Sequence, residues 1–275
     1  MTVDFDAVID TPEYAVDMKS GLTTLAGTSD AIRCIGETVL TGEVPKRQTY
    51  KGSVRTLLRN TFSGSYGQVF SLELHDDELR SKLQDIGHLA FSEVLAYYFS
   101  QAIYQDYPHE LSPNALNVIA DLEDVSEDLL EQLRKSAIRN AHEASRKLHK
   151  NLKIRYRHNR DDQTILATYT AETAKILEAK ISKKILNLTV VITRLNIHTG
   201  NGRLQIQGHD ETVAFGFGIE YKAVKLQAKK IFSKNLDDNN GVEKEHWKYV
   251  ELTATPVTLH NGKVVKYIVR GYRDE

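Results

Sequence analysis

The sequence predicts an α+β protein: an N-terminal α/β helical unit with a β-hairpin, followed by a small C-terminal β-barrel of OB or SH3-like kind. Three observations predict it. Most of residues 1–185 carries apolar side chains at helical spacing. Within that region "SVRTLLRNTF" and "GQVFSLEL" flank a Gly-Ser turn. From Leu186 onward about five strand-like runs, separated by turn signals, fill the last 90 residues.

Val3, Phe5 and Ala7 alternate with Asp4 and Asp6, a period of two that predicts a strand closed by Pro12. Leu22, Leu25, Ile32, Ile35 and Val39 then recur at helical intervals, with Gly42 as the stop. Gly21, Gly27 and Gly36 weaken that helix by about 1 kcal/mol each relative to Ala, and suit close packing on a sheet. Gly64 and Gly67 are expected to take backbone angles that other residues avoid. Asp76 or Asp77 suits the N-cap of a helix running through Phe91, Val94, Leu95 and Tyr98 to about Tyr104. Ser112 and Pro113 open another helix, and Ser126 is the expected cap of the next, with Glu127 and Asp128 at its positive end. Leu130, Leu133, Ala137, Ala141, Ala144 and Leu148 make a narrow apolar seam there, fit for a close partner helix in this chain or another subunit. "TAETAKILEAKIS" predicts a further helix with Ile176, Leu177 and Ile181 inward. The barrel runs are "LNLTVVITRLNI", "GRLQI", "ETVAFGF", "WKYVELTATPVTL" and "KVVKYIVRGY". Asn261-Gly262 gives the strongest hairpin signal, and "SKNLDDNNGVEK" is expected to be a polar loop. The boundary falls near 182–187, giving domains 1–185 and 186–275.

A chain of 275 residues, 41% hydrophobic and 27% charged, buries a sizeable core without a disulfide or metal staple. Cys34 is its only cysteine, and no apolar run approaches the roughly 20 residues of a membrane span. The acidic N-terminus lacks a signal-peptide pattern, so the expectation is a cytoplasmic protein with no membrane partner. The net charge of -1 conceals an asymmetry. Residues 1–125 carry 9 Lys/Arg against 19 Asp/Glu, residues 126–185 carry 14 against 8, and residues 186–275 carry 13 against 10.

Catalytic signatures are weak. Cys34 sits on a helix with no neighbouring base, which predicts a buried structural thiol. His75, Asp76, Asp77 and Glu78 resemble a hard-cation cluster, yet stand where a helix begins. His142-Glu143 starts like a metalloprotease helix, but Arg146 occupies the place of the second His, leaving His142 and His149 as expected surface residues. Thr199-Gly200-Asn201-Gly202 joins two strands and is a turn, not a dinucleotide fingerprint. No catalytic residue, metal ligand or cofactor is therefore assigned.

Binding signals are stronger. "RKLHKNLKIRYRHNR", residues 146–160, interleaves Tyr156 with Arg155, Arg157 and five other cations. Two readings suit it: phosphate contact, or docking onto the acidic N-terminal region. In the barrel, Trp247 and Tyr249 alternate with Val250, Leu252 and Ala254, and Lys266, Arg270 and Tyr272 are expected on one face. Outward rings beside cations suit single-stranded nucleic acid or a nucleotide, each stacked base contributing roughly 1–3 kcal/mol. Arg194 and Arg203 flank the glycine turn.

Residues 193–217 resemble the first hairpin of cold-shock and OB-type domains, although Asn201 and Arg203 stand where that family places aromatics. The layout also resembles a group of uncharacterised bacterial proteins that pair an α/β unit containing a Gly-Ser hairpin, here Gly64-Ser65-Tyr66, with a small barrel containing a Thr-Gly-x-Gly-Arg turn. Some of that group sit beside antiviral defence genes, so the resemblance implies an accessory or sensing protein. The resulting expectation is a non-enzymatic protein that binds nucleic acid or a nucleotide-like ligand through Arg155, Arg157, Arg194, Arg203, Trp247, Tyr249, Lys266 and Arg270. A homo-oligomeric scaffold or protein-interaction module is the alternative. A metal-dependent hydrolase or nuclease using Asp76, Asp77 and Glu78 is the third.

Overall fold

The first strand, β1 (Thr2–Ile9), becomes the middle of a five-stranded antiparallel sheet in the first of two compact units, Met1–Leu177. The computed structural model describes residues 1–47, 49–62, 66–197, 199–259 and 262–273. After β1 come helix α1 (Met18–Thr41) and strands β2 (Val54–Phe62) and β3 (Tyr66–Leu74). Helices α2 (Asp77–Ile86), α3 (His88–Ala102), α4 (Pro113–Asp121) and α5 (Glu123–Gln132) follow. A π-helical turn (Leu133–Ala137) leads into α6 (Ile138–Ala141) and α7 (Glu143–Leu148). The unit ends with strands β4 (Leu152–Arg157) and β5 (Gln163–Tyr169) and helix α8 (Ala171–Ile176). The strand order is β2-β3-β1-β4-β5. Strand β3 thus sits between β1 and β2, a split βαβ arrangement. Val3, Phe5, Ala7 and Ile9 of β1 share one core with Ile32, Ile35 and Val39 of α1 and Phe91 and Leu95 of α3.

Several local expectations hold. Gly42 ends α1 at φ 75°, Asp76 caps α2, and Ser112 with Pro113 opens α4. Others change. The single helix expected from residue 77 to about 104 is two, because Gly87 at φ 83° turns the chain between α2 and α3. Ser126 is not a cap. Helix α5 begins at Glu123, and Ser126 lies buried inside it. The long seam helix is interrupted by the π turn and again at His142. Its small residues face α1 of this same chain: a Cβ on Gly27 would overlap the backbone of Ala137, Asn140 and Ala141. So Gly27 serves helix–helix contact, not sheet packing. Gly36 approaches Leu72 of β3 and Phe91 of α3. Gly67 lies inside β3 opposite Val8, and Gly64 lies outside the described residues.

Strands β4 and β5 were not expected. Leu152, Ile154 and Tyr156 are buried and alternate with Lys153, Arg155 and Arg157, so the basic tract is a strand with an apolar inner face. Helix α8 stops at Ile176, and Ile181 is exposed on a separate short strand instead of inward on a helix.

The second unit, Glu178–Glu275, contains the short β6 (Lys180–Ile181), β7 (Leu186–Leu195), β8 (Gly202–Ile206), β9 (Thr212–Phe217), helix α9 (Leu226–Asn239), β10 (Val250–Thr258) and β11 (Val264–Arg273). Strands β7-β8-β9-β11-β10 pair in that order and β10 pairs back to β7, closing a five-stranded barrel. Strand β11 runs parallel to β9, while β7–β8, β8–β9, β10–β11 and β7–β10 are antiparallel. The last barrel strand thus lies between the third and the fourth, and a helix joins those two, which is an OB-type arrangement. Val190, Ile192, Leu204, Phe215, Leu252, Ala254, Tyr267 and Val269 fill its core together with Phe232 of α9. Most of "SKNLDDNNGVEK", expected to be a loop, belongs to α9. Its polar letters conceal two buried anchors: Asn235 accepts from the Ile192 N–H at 2.8 Å, and Asn239 accepts from the Lys248 N–H at 2.7 Å. The β10–β11 hairpin is present, with Gly262 at φ 84°; Asn261 lies outside the described residues.

Candidate nucleic-acid interface

The glycine turn between β7 and β8 shapes one end of the barrel. Gly200 has φ 69°, a left-handed angle that favours glycine, and its missing side chain leaves room for the Tyr221 ring. A Cβ on Gly202 would overlap the Arg194 carbonyl oxygen and stand 2.7 Å from the Phe215 ring. The two glycines thus let β7 and β8 close tightly, and Arg203 follows at once on β8.

Register then assembles a row of cations. Arg194 pairs with Arg203, Arg203 with Ala214, and Ala214 with Lys266. Directly paired residues point to the same face, so these four positions cross β7, β8, β9 and β11, spanning about 14 Å at ~4.8 Å per strand. Neutral groups are among the contacts of Arg203, Lys266 and the neighbouring Arg270. Arg203 donates from Nε to the Thr212 hydroxyl at 2.8 Å and from Nη2 to the Thr212 carbonyl at 2.6 Å. Lys266 Nζ donates to the Asn201 amide oxygen at 3.4 Å, and Arg270 Nε to the Thr255 hydroxyl at 3.2 Å.

Beneath them β9 presents almost no side chain. Phe215 turns into the core and Phe217 packs against it, which leaves Ala214 and Gly216 outward, followed by Gly218. A Cβ on Gly216 would stand 3.1 Å from Lys266 Cε, and one on Gly218 would stand 2.5 Å from Arg270 Nη1. The two long side chains therefore lie across a glycine floor.

Most rings of the barrel turn inward, and Tyr272 departs from expectation. Phe215, Phe232 and Tyr267 are buried in the barrel. Phe217 packs on Phe215 and Phe232, with centroids 6.3 and 5.0 Å away. Tyr272 does not share a face with Lys266 and Arg270. A bulge at Arg270 shifts the register, pairs Tyr272 with buried Leu252 and turns its ring against the core. Trp247 is half-buried and donates its indole N–H to the Val242 carbonyl at 2.8 Å. Tyr249 is 39% exposed, just ahead of β10.

Arg155 and Arg157 belong to the first unit and have a different setting. Asp6 is fully buried on the central strand, on the opposite face from Phe5 and Ala7. Arg155 grips it with Nε at 2.6 Å and Nη2 at 3.0 Å, and Arg157 with Nη1 at 2.6 Å. Lys153 approaches Asp10 at 4.0 Å and Lys150 approaches Glu13 at 3.6 Å. Of the two readings of the basic tract, docking onto the acidic N-terminal strand is the one this geometry displays.

The remaining candidates are structural. Asp76 accepts from the N–H groups of Glu78 and Leu79, and Asp77 pairs with Arg80 at 2.6 Å, so this run starts a helix. Among the described residues no group of three or more His, Cys, Asp or Glu is placed to hold a metal ion. Cys34 is buried, and burial pushes its thiol up to about 12. His142, expected at the surface, is buried with its ring stacked 4.0 Å from that of Tyr169. Its Nδ1 lies 2.8 Å from the Ile138 carbonyl, which only accepts, so Nδ1 carries the proton and Nε2 faces the Thr173 hydroxyl at 2.9 Å. Burial pulls this imidazole down to about 4. Among the described residues no helix is long and apolar enough to cross a membrane.

The glycine floor is the feature that sequence reading missed. Its signal was the alternation in "AFGFG", rings on one face of the strand and nothing on the other. Comparison with protein-family models, with curated proteins and with solved structures finds no match to this chain.

Proposed function

We propose that this chain is a non-enzymatic binding protein whose barrel holds single-stranded nucleic acid through Arg194, Arg203, Lys266 and Arg270. The observation that carries the reading is the cation row laid over the Gly216–Gly218 floor of β9. In OB-type barrels the second and third strands and the loop between the first two form the usual binding face for oligonucleotides. Here those parts are β8, β9 and the glycine turn. Hydroxyl, carbonyl and amide oxygens contact Arg203, Lys266 and Arg270, and cationic donors on such a face suit phosphate oxygens.

Fluorescence anisotropy with a labelled thymidine oligomer tests this. Four phosphate contacts on a single strand give a log–log salt slope of about -3, so affinity is expected to fall roughly 50-fold from about 50 to about 200 mM salt. The double variant Arg203→Gln/Lys266→Gln should weaken binding at least tenfold at low salt. Absence of binding at low salt, or binding indifferent to that variant, contradicts the reading.

A further inference from the structure

Resting on the reading above, we infer that the bound strand lies with its phosphates toward the barrel and its bases toward solvent, so that the ligand is recognised as a sugar–phosphate backbone. Base-inward binding needs flat groups on the binding face. The face built here has few. Its floor is Ala214, Gly216 and Gly218 with the aliphatic Ile268 beside them, and the aliphatic stem of Lys266 and the guanidinium of Arg270 cross it.

The nearby rings are engaged elsewhere. Phe215 and Tyr267 are buried, and Phe217 packs on Phe232. Tyr221 touches the glycine turn at Gly200, lies 5.4 Å from Phe217 and carries the Lys229 ammonium 4.5 Å from its ring centre. Tyr249 is the most exposed ring of the barrel core region, but it precedes a strand whose first residue pairs with Val190. Val190 is four residues along β7 from Arg194, about 13 Å at the usual strand rise. The glycines have a positive role in this arrangement. Between Lys266 and Arg270 on this face lies Ile268, paired with Gly216 and aliphatic, not flat, so a phosphodiester chain that spans it can meet both cations with no ring beneath it.

The test compares two oligomers of equal length: a thymidine oligomer, and one in which abasic deoxyribose phosphates replace the nucleotides. Their affinities, read by anisotropy at low salt, should agree within about threefold. One stacked base is worth roughly 5- to 150-fold. An abasic oligomer that binds more than tenfold weaker therefore overturns the inference and leaves the binding site itself standing. If neither oligomer binds, both the inference and the reading beneath it fail. Gly218→Glu, which puts a carboxylate beside Arg270, should weaken both oligomers by the same factor, more than tenfold. Tyr249→Ala should leave the thymidine oligomer within twofold, and a tenfold loss would place a base on that ring and overturn the inference.

Discussion

Arg155 on β4 and Arg203 on β8 both project from the face of a strand that is turned away from its core, and both are followed by further cations on the same face or a neighbouring strand. Their surroundings differ. Arg155 and Arg157 converge on the buried carboxylate of Asp6, whereas Arg203, Lys266 and Arg270 are oriented by a threonine hydroxyl and carbonyl, an asparagine amide and a second threonine hydroxyl. The first set ties a strand to the centre of a sheet. The second lies on the outer face of the barrel, the surface proposed to meet a polyanion. The difference teaches that a basic stretch acquires its role from the groups it meets, and those come from distant parts of the chain.

The largest effect should come from removing the shared carboxylate. Asp6→Ala leaves two guanidinium groups around an empty site, and breaking a buried ion pair of this kind costs about 3–5 kcal/mol. Urea denaturation of the first unit should register that loss. An effect below about 1 kcal/mol would mean that the ion pair does not secure β4 to β1. In contrast, Arg203→Gln/Lys266→Gln should change stability by less than about 1 kcal/mol, because both side chains are half-buried at the surface and lie outside the core.

Acid should act next, and again on the first unit. His142 is held neutral in the fold, with its pKa lowered from 6.5 to about 4. The unfolded chain therefore binds more protons between those values, so stability declines as pH falls from about 6.5 to about 4 and then levels off. The full loss is about 3 kcal/mol. His142→Phe should remove this pH dependence, and a wild-type unfolding midpoint constant between pH 6.5 and 4.5 would refute the assignment. A smaller loss, about 1–3 kcal/mol, is expected for Gly27→Val, which overfills the contact with Ala137 and Ala141. Cys34 should show the smallest response, with no reaction toward a thiol reagent until the protein unfolds.

Much of the fold was legible in the sequence. Capping residues, the hairpins and the closed barrel follow from local chemistry: Asp76 and Ser112 satisfy free N–H groups, and alternation marks the barrel strands. The errors arose where a residue's partner lay far along the chain. "LKIRYR" looks basic before it looks like a strand, because its buried side reveals itself only beside β1. "SKNLDDNN" looks like a loop because Asn235 and Asn239 are polar, yet they bond the backbone of β7 and of the segment ahead of β10. The candidate site was legible in part. Arg194, Arg203, Lys266 and Arg270 were named from composition, but their alignment on three strands, with Ala214 of β9 between, depends on register. The bulge that removed Tyr272 from their face had no signal in the letters.

The most direct measurement sets the two arginine-bearing surfaces side by side: the salt dependence of oligonucleotide affinity for Lys266→Gln and for Arg155→Gln, each confirmed folded. Losing one phosphate contact should make the slope shallower by about 0.7–1 for Lys266→Gln. For Arg155→Gln the slope should stay that of the wild type while stability falls. A slope that responds to Arg155 and ignores Lys266 would contradict the account.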